Sequence, residues 1–210
     1  MMYFASKFNG MNTEEFIEYI SKVKPLDNRS INLYKGNDSL TKIRRQNLAI
    51  YLSEMRKQNP ETLLIGEAPG IHGCYYTGIA FTDEFTIVTD CFFENKGYSI
   101  LQAKPVPEKE QSAYAIWEII GKSDKKPLLW NIYPFYPFDD GQVNRTPSKA
   151  EIELGYDILH NLLSAFNIKR IYGLGRVASN RLGADYIRHP SYGGKAACQA
   201  RLKAILDIKE

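Results

Sequence analysis

The chain has 210 residues, 44% of them hydrophobic and 12% aromatic, and a formal net charge of +3. That length suits one domain, or one domain with an N-terminal appendage, and the apolar fraction is enough for a sizeable core. The net charge is too small to imply nucleic acid by itself, and with no apolar leader and no run near the roughly eighteen residues of a membrane span, a cytoplasmic protein without a membrane partner is expected.

Charge is unevenly distributed. From Lys169 to Glu210 there are nine basic residues against three acidic ones, so the C-terminal third could meet a polyanion through phosphate contacts, or simply present solvated helix faces. Cys74, Cys91 and Cys198 are odd in number and far apart, with no CxxC pair. A disulfide framework, a structural zinc site and a four-cysteine iron–sulfur cluster therefore lack support, and neither metal nor cofactor is expected.

Residues 1–60 read as a helical N-terminal extension packed on the domain. Asn12 or Thr13 caps a short amphipathic helix through Ile20. Pro25 to Gly36 reads as a loop. Asp38 or Ser39 opens a longer helix whose Leu40, Ile43, Leu48, Tyr51, Leu52 and Met55 share one face, and Asn59-Pro60 ends it. Thr62 then leads Leu63-Leu64-Ile65-Gly66-Glu67-Ala68-Pro69-Gly70, a buried parallel strand that stops at a stiff, sparsely decorated turn. Ligands of open α/β sheets bind beyond the carboxyl ends of such strands, and Gly66 and Gly70 let backbone approach whatever sits there.

Residues 70–107 hold too much glycine for a helix and show no clean alternation. A long irregular stretch inside a compact domain is usually functional or mobile. A helix is expected from Glu108 to Ile120, a strand over 128–132, and a proline- and aromatic-rich loop from Tyr133 to Gly141. The next helix starts either with Thr146 as cap and Pro147 in its first turn, or with Ser148 and Glu151 in a capping box, and it ends near Asn167. Strands over 170–173 and 185–188, a short helix between them and a last helix over 196–208 complete the pattern. Alternation of strand and helix from residue 62 onward predicts a three-layer α/β/α architecture around a central, mainly parallel four-stranded sheet.

Three strand ends then share one edge of that sheet: Glu67 with Pro69-Gly70, Asn131, and His189-Pro190-Ser191. Gly173-x-Gly175 lacks the third glycine and the first-strand position of a dinucleotide fingerprint. Taken together, these pieces resemble the uracil-DNA glycosylase superfamily. Gly66-Glu67-Ala68-Pro69-Gly70 is similar to the first motif of its iron–sulfur members, and Thr77-Gly78-x-x-Phe81 to their next segment. Asn144-Arg145-Thr146-Pro147 and Gly173-Leu174-Gly175 follow in the family's order, over about residues 62–205.

The resemblance implies a monofunctional DNA glycosylase that flips out uracil or another deaminated base and leaves an abasic site in base excision repair, acting as a monomer on damaged DNA. It implies that Phe81 stacks on the extruded base, that the Asn131 amide meets uracil N3–H and O4, and that His189 donates to O2. Gly66, Ala68, Pro69 and Gly70 would line the base site. Arg145, Pro190, Ser191, Tyr192, Gly193 and Lys195 would meet DNA, with Tyr192 as a wedge. Two positions depart from the branch whose first motif supplies a water-orienting Asp and a methyl-excluding Tyr: they are Ala68 and Gly70 here. Water activation then falls to Glu67, Asp83 or Glu84, the last two having the alternative of solvated loop charges. Two other readings are a catalytically weak DNA-binding member and a small-molecule α/β enzyme sharing only the fold.

Overall fold

A computed structural model describes residues 10–101, 107 and 109–208. Four strands, β2 (Thr62–Gly66), β3 (Leu128–Asn131), β6 (Arg170–Leu174) and β7 (Asp185–Ile187), form a wholly parallel sheet in the order β3-β2-β6-β7. Every residue of β2 and β3 is buried, as expected for strands covered on both faces. Helices flank the sheet in a three-layer α/β/α arrangement, α1 (Thr13–Lys22) packing on α2 (Ser39–Gln58) and α6 (Lys149–Leu163), and α5 (Gln111–Ile120) on α8 (Lys195–Ile205). The short α7 (Arg176–Leu182) crosses from β6 to β7.

Helix starts follow local chemistry. Asn12 and Glu15 form a capping box on α1, and Asp38 accepts from the Thr41 amide to open α2. Of the two registers open for α6, the Ser148–Glu151 box is the one formed. Helix α5 starts at Gln111 with Glu110 as its cap, later than the expected start, and Glu108 itself lies outside the described residues.

Residues 10–60 contribute directly to the core. Phe16 packs edge-on against Trp130, with ring centroids 5.8 Å apart. The Leu129 amide of β3 donates to the Tyr51 hydroxyl at 2.8 Å. Segment 29–31 is tied to α6 through Glu151, a buried carboxylate that accepts both arms of Arg145 at 2.7 and 2.8 Å and the Ser30 hydroxyl at 2.5 Å.

Three stretches expected to be irregular, 25–36, 70–107 and 133–141, carry short elements. The 70–107 stretch contains two short helices, α3 (Cys74–Thr77) and α4 (Glu84–Thr89). Glycines bracket α3 rather than interrupt it, and Asp83 caps α4 by accepting from the Thr86 amide. The 133–141 loop carries β4 (Tyr136–Asp139), which forms a short antiparallel hairpin with β5 (Val143–Asn144) and pairs on its other edge with β1 (Ser30–Ile31), distant in sequence.

The Glu151 hub has a consequence for acid stability. Burial pushes the Glu151 carboxyl up, but hydrogen bonds from Arg145, Ser30 and Ser148 outweigh it and hold the group at about 2. A depressed carboxylate stabilises the fold above the ordinary value of 4.5, and that stabilisation is lost as pH falls from there toward about 2. Thermal melting of the wild type is therefore expected to soften across this window. In Glu151→Gln the acid-sensitive component should be absent, and the melting temperature at pH 7 should drop by the equivalent of about 1–3 kcal/mol, since Arg145 loses its buried counter-charge and keeps the exposed Asp139 carboxylate and backbone carbonyls.

Candidate active site

The carboxyl ends of β2 and β3 lie side by side, with Gly66 opposite Asn131 in the ladder. The chain leaving β2 stays beside β3: the Ile132 amide donates to the Gly66 carbonyl and the Tyr133 amide to the Glu67 carbonyl. Two residues beyond β7 stands His189, next to Gly175, which follows β6. Between these strand ends is a cavity of about 360 Å³. Its wall includes Glu67, Ala68 and Gly70 from the first turn, Phe81, Asn131, Thr146 and His189. Phe81, Asn131 and His189, drawn from three distant parts of the sequence, thus face one space.

Close approach at Gly66 makes this possible. A Cβ there would stand 2.3 Å from the Phe81 ring and 2.8 Å from Asn131 Oδ1. Phe81 itself has φ +54, a left-handed conformation unusual for a bulky residue. It is pinned there: the Trp117 indole N–H donates to the Phe81 carbonyl at 3.0 Å and reaches the Thr82 hydroxyl at 3.2 Å. Strain held by surrounding structure in this way clusters at functional sites.

The polar groups are oriented. Asn131 is 3% exposed, and its amide nitrogen lies 3.8 Å from Cys74 Sγ. His189 Nδ1 accepts from the Ser191 backbone N–H at 3.2 Å and lies 2.7 Å from the Ser191 hydroxyl. An amide can only donate, so the neutral ring carries its proton on Nε2. Burial lowers the His189 pKa below the usual histidine value, with a smaller push from Arg188. Glu67 is half-buried; desolvation raises its pKa while a hydrogen bond from the Thr146 side chain opposes the rise.

Other sequence-selected residues sit differently. Asp83 is fully buried, its carboxylate accepting from the Thr86 and Glu110 amides at 2.7 and 2.5 Å. Glu84 is buried and accepts from the Leu101 amide at 2.6 Å. Neither lines the cavity, and neither is a solvated loop charge; both brace the loop that carries Phe81. Arg145 is in the cavity wall, but its guanidinium is spent inside the protein on Glu151 and on the Arg29, Phe138 and Thr146 carbonyls. It acts there as a strut, which leaves it poorly placed to grip phosphate.

The His189 loop is turned outward. Pro190 is buried, Ser191 half-buried, and Tyr192 is 96% exposed at φ +50. A Cβ on Gly194 would sit 2.0 Å from the His189 carbonyl, so only glycine closes the loop onto α8. Lys195 pairs with Glu118 at 2.6 Å and holds that carboxyl at about 2. Cys74, Glu110 and Ser112 also line the cavity, and sequence reading missed them. They come from a glycine-rich stretch and a helix start, where no spacing signals convergence.

The model of the uracil DNA glycosylase superfamily matches residues 53–207. The chain belongs to that superfamily. Among solved structures, this superfamily member is similar to wild-type Pedobacter heparinus SMUG2, at 18% identity and a TM-score of 0.64, over 92% of this chain and 96% of that one. None of the curated proteins compared by sequence matches. Enzymes of the superfamily are DNA glycosylases that hydrolyse the bond between base and sugar. Cys74 and Cys198 are buried and Cys91 is exposed, and three separate thiols do not make a donor set for a four-cysteine cluster. Among the described residues, no helix is long and apolar enough to cross a membrane.

Proposed function

We propose that this superfamily member is a monofunctional DNA glycosylase that extrudes uracil, or a related deaminated base, and hydrolyses its N-glycosidic bond to leave an abasic site. The observation that carries this reading is the meeting of Phe81, Asn131 and His189 around one cavity.

In the proposed reaction the flipped base stacks on Phe81. Asn131 Oδ1 accepts from N3–H and Nδ2 donates to O4; cytosine offers the opposite polarity and is refused. As the C1′–N1 bond breaks, its electron pair passes to the base, and the Nε2–H of His189 meets the negative charge growing on O2. Water adds to the sugar cation at C1′ and gives a proton to Glu67, the cavity-lining carboxylate among the three candidates. Ser191, Gly193, Pro69 and Gly70 would hold phosphates about the lesion, and the exposed Tyr192 would fill the gap left in the stack. With no free amine in the cavity wall as described, no strand cleavage by lyase chemistry is expected.

A base must be ionised to take the proton, so release should fall as pH drops through the Glu67 pKa, which lies above 4.5. In Glu67→Gln the rate should be roughly 10²–10⁴-fold lower, and this acid limb should vanish. Single-turnover release between pH 4 and 8 checks both. A wild type that binds uracil-containing DNA with salt-dependent affinity yet releases nothing would favour the weak-binder reading instead.

A further inference from the structure

Arg44 is a buried cation with no counter-ion among the described residues. The residue is 4% exposed on the inner face of α2. Its Nε donates to the Tyr75 carbonyl at 2.5 Å and Nη1 to the Leu33 carbonyl at 3.4 Å. The guanidinium lies 4.5 Å from the centre of the Tyr75 ring, and Nη2 has no hydrogen-bond partner among the described residues. No carboxylate among them forms an ion pair with it; Asp38 feels its charge only weakly and is occupied by Thr41. Nor does Cys74 supply the missing charge, because burial pushes that thiol up to about 12 despite the pull of Arg44.

Burying a guanidinium with no carboxylate beside it is unfavourable, and the Tyr75 and Leu33 carbonyls it serves need a donor and not a charge. The position of the charge suggests what it serves. Tyr75, whose carbonyl and ring it touches, directly follows Cys74 at the start of α3. Cys74 in turn lines the cavity and contacts the Asn131 amide. The cation therefore sits one residue behind the wall that would read the base, in a region of low polarisability where a charge acts over several ångströms.

We propose that Arg44 supplies a standing positive potential behind the α3 wall that stabilises the departing base as its anion. The inference rests on the glycosylase reading. When the C1′–N1 bond breaks, its electron pair leaves with the base, and the negative charge spreads over N1, O2 and O4. His189 meets the O2 side by hydrogen bonding. Arg44 acts without contact or proton transfer, on the side where Asn131 holds the ring, so its role is electrostatic and not that of a catalytic residue.

Comparison of two leaving groups separates this from a structural role. The electron-withdrawing fluorine of 5-fluorouracil stabilises the ring anion, so its release depends less on outside help than release of uracil. Single-turnover release of each base is measured from otherwise identical oligonucleotides for the wild type, Arg44→Met and Arg44→Lys. Arg44→Met is expected to slow uracil release at least ~10-fold more than 5-fluorouracil release, and Arg44→Lys, which keeps the charge, to recover much of the difference. Calorimetry with free 5-fluorouracil, below and above its ionisation, gives a readout independent of bond cleavage. The wild type should favour the anion and Arg44→Met should lose that preference. Equal slowing of both bases, with an unchanged preference for the anion, overturns the inference while leaving the glycosylase reading intact. If the wild type neither releases uracil nor binds either pyrimidine, the inference and the reading beneath it fall together.

Discussion

His189→Ala is expected to lower single-turnover release of uracil by about 10²–10³-fold, the effect of removing one oriented donor to a developing oxyanion. The size follows from how the ring is prepared. Its Nδ1 is taken by the Ser191 amide and lies against the Ser191 hydroxyl, which leaves the N–H on Nε2 of a ring that lines the cavity. Burial holds the ring neutral near pH 7, so no imidazolium charge has to be desolvated before reaction. The interaction strengthens only as the base takes on charge, so kcat should fall with little change in affinity for substrate DNA. Fluorescence anisotropy with uracil-containing DNA, run beside the kinetics, makes that separation. Equal losses in rate and affinity would mean that His189 does no more than hold the loop.

Gly66→Ala is expected to cost at least ~100-fold in release, although it adds one methyl at a buried strand end. The backbone there does not require glycine; the neighbours do. A Cβ at 2.3 Å from the Phe81 ring and 2.8 Å from Asn131 Oδ1 must displace the ring that stacks and turn the amide that reads. A misplacement of about 1 Å can cost around 10²-fold in rate. Overpacking of about 1–3 kcal/mol is partly offset by the lower chain entropy of alanine in the unfolded state, about 0.4–1 kcal/mol. The melting temperature should therefore fall only modestly while activity collapses. Combining it with Phe81→Leu should relieve the crowding and restore melting, but not activity, because the stacking face is gone. Activity near that of the wild type in Gly66→Ala would show that the close approach of Phe81 and Asn131 to Gly66 is not needed.

Much of this was legible in the sequence, for identifiable reasons. The 62–66 strand is an unbroken apolar run stopped by Pro69-Gly70, and such runs become central parallel strands whatever surrounds them. Asn131 and His189 could be found because each ends a strand, and parallel strands bring their carboxyl ends to one edge. The β1–β4–β5 sheet was illegible, because its strands are two to four residues long and its outer strand β1 reaches the short β4–β5 hairpin from about a hundred residues earlier in the chain. Asp83 and Glu84 read as candidate water activators, or else as solvated loop charges, because their partners, the amides of Glu110 and Leu101, arrive from the following segment. Arg145 read as a DNA contact for a similar reason: nothing local signals that Glu151 and the Arg29 carbonyl claim its donors. Cys74 and Glu110 enter the cavity wall through folding of a stretch with no period to follow. Pattern locates the elements; the partners of individual charges are settled by tertiary contacts.

The account rests on one pocket that takes a single extruded pyrimidine, and release of the base tests it most directly. Purified protein is incubated with end-labelled oligonucleotides carrying uracil, hypoxanthine, xanthine or a thymine mismatch, single- and double-stranded, and the products are resolved after alkaline cleavage. The expected result is an alkali-dependent break at uracil, absent without alkali and lost in His189→Ala. Intact oligonucleotides across the whole panel at stoichiometric protein would contradict the account.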